Sequence, residues 1–300
     1  MSIPSNPNGS FLDFFTLTVD KSKILWYNEK NDHTEEFMQS ILITGASGGM
    51  GKSAVAHFKS KGFRIFALDK KPTEAEENVI PITADLTDSE SVKNAFRTVS
   101  EYTDSLFAII HFAGIYMLDS LVEISHEDFK KAFEINVFGA FLVNREFLPL
   151  LKKGSRILIT TSELAPLSPL PFTGLYAVTK SALDQYAYSL AMELQLLGIS
   201  VSVLRAGAVD TGMLGVSTAA LDRFVNETEL YSCNADRFKK IVDGVEAKKI
   251  PPEKVARKAE KIISKNSPRF VNHINRNPLL LLLNALPRTA QLGVIRKILK

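Results

Sequence analysis

"SILITGASGGMGKSAVAHFK", Ser40 to Lys59, decides the architecture. Its first five residues are apolar and β-branched, the mark of a buried strand, and from Gly49 to Lys61 the pattern becomes helical. Between them lies the glycine turn "TGASGGMGKS", Thr44 to Ser53. Glycines permit a tight turn and bring backbone N–H groups close to an anion, while the helix that follows offers its positive end to a phosphate. Three ligand chemistries compete. A phosphate-binding loop of kinase or ATPase type is suggested by "GKS", but that motif needs four residues between its glycines; Gly45 and Gly51 are separated by five, and the required position is Ala46. A hydrolase nucleophile elbow fits Gly45-Ala46-Ser47-Gly48-Gly49 as G-x-S-x-G, yet in that fold several strands precede the nucleophile. A dinucleotide site is the third reading. The next strand, "FRIFAL", ends in Asp69, close to the offset of roughly 20 residues at which a carboxylate accepts hydrogen bonds from the adenosine ribose.

Outward from this turn the chain keeps one rhythm. "VIPIT" precedes a helical pattern over Ser89 to Glu101, "LFAIIH" one over His126 to Lys153, and "SRILIT" one over Gly174 to Leu197; "SVSVLR" leads into a variable stretch, and "PRFVNH" supplies a last strand. Strands apolar throughout and separated by helices predict an α/β fold, a doubly wound parallel β-sheet with helices on both faces. Thr87 with Glu90 and Ser125 with Asp128 have capping-box spacing, and Gly154 reads as a helix stop. Residues 1–39 differ in style and are read as an N-terminal extension, an arm or hairpin, with a disordered segment as the alternative. Residues 40–300 are expected to form a single domain.

The turn, Gly45, Gly49 and Gly51 in T-G-x-x-x-G-x-G, is followed far downstream by Tyr176-x-x-x-Lys180 in "LYAVTKSAL". In this order and spacing the two motifs resemble the short-chain dehydrogenase/reductases, and the resemblance covers Ser40 to about Phe270. It implies a Rossmann-type sheet of about seven strands and alcohol–carbonyl interconversion with NAD(P). Hydride transfer to a carbonyl requires a proton at the oxygen. A phenol with a pKa of about 10 must be brought roughly three units lower to work near neutrality, at a cost of roughly 4 kcal/mol. An ammonium about 4 Å away, at an effective dielectric of about 20, supplies roughly 4 kcal/mol. One helical turn separates Tyr176 from Lys180, so both project from one face. Ser162, at the end of "ILITTS", could hold the substrate oxygen; Thr161 competes for that role, and the family pattern points to Ser162. Asn136 is a polar residue on the buried face of a long helix and must have partners; the resemblance gives it a place in the proton relay through a water.

The resemblance also implies cofactor contacts from Gly45, Ser47, Gly49, Met50, Gly51, Asp69, the adenine-side pair Asp85 and Leu86, Ala113, Gly114, Tyr176, Lys180, Val209 and Thr211. Asp69 would repel a 2′-phosphate, so NAD is expected over NADP, a preference softened by Lys70 and Lys71. Two positions depart from the family pattern. Phe112-Ala113-Gly114 replaces Asn-Ala-Gly, removing an amide that ties neighbouring strands, and Ala206-Gly207 replaces Pro-Gly, loosening a loop that proline would stiffen.

Composition narrows the rest. A single cysteine, Cys233, excludes an internal disulfide, and the five histidines are scattered with no i, i+4 pair, so no metal is expected. The net charge of +3 hides an asymmetry: residues 251–300 carry eleven Lys or Arg against two Glu. No apolar run reaches the roughly 20 residues needed to span a bilayer and the N-terminus lacks a secretory pattern, so a cytoplasmic protein without a nucleic-acid partner is expected. Residues 211–250 lie where the family that the chain resembles keeps its variable substrate-covering region, and Met213, Leu214, Leu221, Phe224, Leu230 and Tyr231 make them apolar enough to shelter a hydrophobic substrate; a plain helical hairpin would have the same composition. The tail 275–300 joins "LLLLL" to basic residues and suits a membrane surface, a second subunit, or packing on its own domain. The sequence therefore predicts an NAD-preferring oxidoreductase for a small, lipophilic alcohol or carbonyl, assembled as a homodimer or homotetramer. A cofactor-binding regulatory protein without turnover is the alternative.

Overall fold

Along β1 (Ser40–Thr44) side chains alternate between two cores: Leu42 enters one, Ile41 and Ile43 the other. The same split holds in β2 (Arg64–Asp69), where Phe66 and Leu68 face the first core and Ile65 and Ala67 the second. Strands buried on both faces need helices on both sides. The computed structural model describes residues 38–168, 170–246 and 249–300, with side chains throughout except at 213–218 and 243–246. The N-terminal arm expected over residues 1–39 lies outside the described residues, apart from its last two.

Five further strands, β3 (Val79–Thr83), β4 (Leu106–His111), β5 (Leu151–Ser162), β6 (Ser200–Ala206) and β7 (Val271–Ile274), complete a seven-stranded sheet in the order β3-β2-β1-β4-β5-β6-β7. Every pairing is parallel. The winding reverses between β1 and β4, where Thr44 is in register with both Leu68 and His111. Loops leaving the carboxyl ends of β1 and β4 therefore diverge there, opening the crevice in which doubly wound sheets bind ligands.

Helices α1 (Gly49–Lys59) and α8 (Pro252–Ile263) cover one face; α2 (Ser89–Ser100), α4 (Gly139–Glu146) and α5 (Gly174–Leu194) cover the other. Helix α8 shows why the sequence folds this way. Val255, Ala256, Ala259, Ile262 and Ile263 form a buried stripe while Lys254, Arg257 and Lys261 face solvent, and each buried isoleucine contributes about 1.5–3 kcal/mol. A third apolar cluster joins α6 (Gly212–Glu227), α7 (Ser232–Glu246) and α10 (Arg288–Leu299) through Leu221, Phe224, Phe238 and Leu299.

Local structure departs from the sequence reading in three places. Asp88, not Thr87, caps α2, accepting from Glu90 N at 3.0 Å, because the Thr87 hydroxyl is committed to Asp85. The long helix expected over 126–153 is broken into α3 (His126–Phe133), a π-turn at Glu134–Phe138, α4, and a 3₁₀ turn at Leu148–Leu150. Gly154 does not stop a helix; it adopts φ +95° inside β5, with its N–H bonded to Gly198 O. Ser125 caps α3 as expected, accepting from Asp128 N at 3.0 Å.

Candidate active site

The glycine turn is shaped by close approach. Gly45 has φ +71°, and a Cβ there would lie 2.6 Å from Ala113 N; at Gly51 a Cβ would lie 2.0 Å from Gly45 O. The first glycine lets the β1 loop pass the β4 loop, and the third lets α1 pack on the turn. A Cβ at Gly49 would strike Thr211 at 2.6 Å, so the segment after β6 closes directly over the turn. Asp69 ends β2 at its mouth: Oδ2 accepts from Ser47 N at 3.0 Å and Oδ1 from Lys71 N at 2.9 Å.

These residues fit a dinucleotide. The turn leads into the N-terminus of an eleven-residue helix. Gly114 keeps the far end of the crevice clear, since a Cβ there would stand 3.1 Å from Asn136 Oδ1 and 3.3 Å from Lys180 Nζ. Met50, Gly114, Val209 and Thr211 line the cavity described below. Asp85 is less available than its position after β3 suggests. Its carboxylate takes Lys70 Nζ (2.6 Å), Thr87 N (2.9 Å) and Thr87 Oγ1 (2.7 Å). The Lys70 ammonium and the Thr87 donors hold its pKa down at about 2. Its neighbour Leu86 packs beneath Gly139.

Tyr176 and Lys180 lie one turn apart on α5, and both line the cavity. The Lys180 ammonium is 5.8 Å from the centre of the Tyr176 ring and donates to Thr160 O at 3.2 Å. Burial lowers the Lys180 pKa to about 8. The expected lowering of the Tyr176 pKa is not the balance that results: burial, reinforced by Tyr116, raises it, and only the hydrogen bond with the Ser162 hydroxyl opposes this. Tyr116 packs against Tyr176 with ring centres 4.8 Å apart. Ser162 rather than Thr161 reaches the phenol, because Thr161 Oγ1 donates to Asp184 Oδ1 at 3.0 Å.

Asn136 sits in the π-turn with both amide N–H groups and one acceptor position of its carbonyl engaged. It accepts from Ile115 N at 2.8 Å and donates to Ile115 O (3.0 Å) and Thr179 Oγ1 (3.1 Å). It thus fastens the loop after β4 to α5 one residue before Lys180. A π-turn shifts the helical register at functional positions, and no residue in "EINVF" announces it.

Two supporting groups escaped the sequence reading. Asp184, one turn beyond Lys180, pairs with Arg205 through Nε–Oδ1 (2.9 Å) and Nη2–Oδ2 (2.5 Å) contacts while also holding Thr161. This clamp fixes α5 against β5 and β6. Its signal was faint: carboxylate and guanidinium lie 21 residues apart on different elements. Buried His111 bridges Thr44 Oγ1 (3.5 Å) and Asn144 Oδ1 (2.8 Å), and Asn144 Nδ2 donates to Tyr186 OH at 3.2 Å. Burial lowers the His111 pKa to about 4.

The two departures from the family pattern have local substitutes. Phe112 is buried in the core, and β1 and β4 are tied by Phe112 N to Thr44 O at 3.1 Å. The Ala206-Gly207 loop is not loosened. Gly207 N donates to Ile274 O and Asn275 Nδ2 to Ala208 O, and a Cβ at Gly207 would overlap Asn275 O at 1.9 Å.

Beside Tyr176 lies a cavity of about 210 Å³ whose apolar walls include Tyr116, Leu164, Leu170, Ile241, Val242 and Leu280. The expected covering residues behave differently. Leu221 and Phe224 are buried in the third cluster with Tyr231 packed against it, Leu230 is exposed, and the side chains of Met213 and Leu214 lie outside the described residues. Within the region 211–250 it is Ile241 and Val242 of α7 that line the cavity, joined by Leu280 of α9 (Pro278–Asn284). Among the described residues no cluster of His, Cys, Asp or Glu is arranged to hold a metal, and no helix is long and apolar enough to cross a membrane.

A doubly wound sheet with a glycine turn at its switch point, and a Ser, Tyr and Lys converging on the adjacent cavity, defines a dinucleotide-dependent oxidoreductase class. The model of the short chain dehydrogenase family matches residues 39–222, and the chain belongs to that family of NAD(P)-dependent oxidoreductases. It is 32% identical over 189 residues to estradiol 17-beta-dehydrogenase 2 of Mus musculus, a match covering 59% of this chain and 50% of the mouse protein. It is 27% identical over 233 residues to 3-ketodihydrosphingosine reductase of Bacteroides thetaiotaomicron, covering 77% of this chain and 86% of that protein. The fold is shared with 3-ketoacyl-(acyl-carrier-protein) reductase from Brucella melitensis in its NADH complex (TM-score 0.64, 19% identity, 79% of this chain and 95% of that one).

Proposed function

We propose that the chain is an NAD-preferring oxidoreductase that interconverts a lipophilic carbonyl compound and its alcohol. The observation that carries this reading is the convergence of Ser162, Tyr176 and Lys180 on one apolar cavity beside the glycine turn. Bound nicotinamide dinucleotide would supply or accept the hydride. Tyr176, its pKa raised by burial, stays protonated at neutral pH and donates to the carbonyl oxygen as charge develops there. Ser162, already bonded to the phenol, orients that oxygen. Lys180, with a pKa of about 8, is mostly cationic at pH 7. Its charge, one helical turn from Tyr176, would favour the phenolate left behind, and it would hold the nicotinamide ribose. Asn136 secures the loop carrying Gly114 and completes the relay.

Asp69 at the mouth of the turn disfavours a 2′-phosphate, and Lys70 is drawn toward Asp85 rather than toward Asp69. The apolar walls support a lipophilic substrate, and the names of the estradiol and ketodihydrosphingosine enzymes point the same way. For quaternary structure we favour a homodimer or homotetramer, using the face where Phe138, Val178, Tyr188 and Met192 stand exposed. The test is a screen of the purified chain with NADH and NADPH against steroid, long-chain keto and sugar carbonyls. Turnover with an apolar carbonyl and NADH is expected, and Asp69→Ala should narrow the preference for NADH. Tighter binding of NADPH by the unaltered chain would overturn the reading of Asp69.

A further inference from the structure

Helix α9 has two faces with different neighbours. Leu280 is buried and lines the cavity beside Tyr176, whereas Leu279 and Leu282 are 62% and 68% exposed. The helix is fastened across the cavity at both ends: Asn277 N donates to Glu163 Oε2 at 2.6 Å, and Ser168 N to Asn284 Oδ1 at 2.6 Å. One turn of chain thus separates the cavity from exposed leucine side chains. In α10, Gln291 and Leu299 are buried and Ile295 packs inward, leaving Arg288, Leu292, Arg296 and Lys300 outward at successive intervals of four. Beside α10 runs an open groove of about 450 Å³. Phe172, Ile295 and Leu299 line it with the exposed Leu121 and Val122, and Arg296 and Lys300 stand in the same wall.

Charge decides what covers this surface. Residues 275–300 hold five Lys or Arg and no Asp or Glu. A second copy presenting the same face would bring the exposed Arg288, Arg296, Lys297 and Lys300 against their own counterparts, which opposes self-association. An anionic bilayer neutralises the cations and accepts scattered leucines without requiring a fixed complementary shape. We infer that α9, α10 and the Leu121–Val122 loop form a docking face for an anionic lipid surface, so that an apolar substrate reaches the cavity from the lipid side of α9. The entry route rests on the oxidoreductase reading above; the docking itself does not.

The experiment is co-sedimentation of the full chain with vesicles of phosphatidylcholine alone and of phosphatidylcholine mixed with phosphatidylserine, at low and high salt, without turnover. Binding is expected only to the phosphatidylserine vesicles and should weaken as salt rises. Leu279→Ser with Leu282→Ser should lower partitioning about tenfold or more, and Arg296→Gln with Lys300→Gln roughly twentyfold. Thermal melting and NADH binding of both double variants should match the unaltered chain, which reports on folding. Reduction of a water-soluble carbonyl should also be unchanged, so failure of docking and failure of the oxidoreductase reading give different results. The inference is overturned if the chain ignores phosphatidylserine vesicles. It is equally overturned if both variants bind like the original, or if the leucine variant dissociates an oligomer while vesicle binding persists.

Discussion

Replacing Lys180 by methionine should make the folded chain more stable and the enzyme inactive. Lys180 is 5% exposed, and burial brings its pKa from the ordinary 10.5 to about 8. At about 1.4 kcal/mol per pH unit, that gap is worth about 3 kcal/mol of folding free energy. In the unfolded chain the lysine keeps its proton up to about pH 10.5, in the folded chain only to about pH 8. Between these values the unfolded state binds more protons, so stability rises with pH; below pH 8 the whole penalty is present. Methionine removes the charge with little change in volume and forfeits the bond to Thr160 O at 3.2 Å, worth about 1 kcal/mol. The net gain at pH 7 should be about 1–3 kcal/mol, seen as a higher urea midpoint and a melting temperature raised by roughly 2–4 °C per kcal/mol. The advantage should fade toward pH 10.5, and carbonyl reduction should fall at least roughly a hundredfold. A variant less stable than the original at pH 7, or one whose advantage does not change with pH, would refute the reasoning.

Two further perturbations test the supporting groups. His111 titrates at about 4 in the folded chain against an ordinary 6.5, so acidification through that window should cost about 3 kcal/mol; in His111→Gln the loss between pH 6.5 and 4 should be smaller by that amount in denaturation curves. Asp184→Ala leaves the Arg205 guanidinium, still 16% exposed, without its carboxylate partner and should destabilise by about 2–4 kcal/mol. Asp184→Leu with Arg205→Met should recover most of that stability but not the full kcat, since Thr161 also loses its partner.

Much of the fold was legible because two periodicities survive in the chain. Ile41, Leu42 and Ile43 announce a strand buried on both faces, and Val255, Ala256, Ala259 and Ile262 announce the helix that covers one of them. All seven strands overlap the runs that announced them, although β5 begins four residues before its run, at Leu151. The glycine turn and the Tyr176–Lys180 pair were readable because a turn and a helix fix spacing locally. Features set by distant contacts were not. The π-turn at Asn136 depends on Ile115 and Thr179. The choice of Ser162 over Thr161 follows from Asp184 capturing the threonine. The cavity walls come from α7 and α9 because Leu221 and Phe224 pack with Phe172 and Phe238 instead. The Tyr176 pKa is raised by burial and by Tyr116 and opposed by Ser162, none of which the spacing along the helix reveals.

The central claim is that the Tyr176 hydroxyl delivers the proton when a carbonyl is reduced in this cavity. Single-turnover reduction by Tyr176→Phe with NADH, measured beside the Kd of the nucleotide, tests it most directly. The rate should fall at least roughly a thousandfold while the Kd stays within about twofold. Reduction at an undiminished rate by the phenylalanine variant would contradict the account.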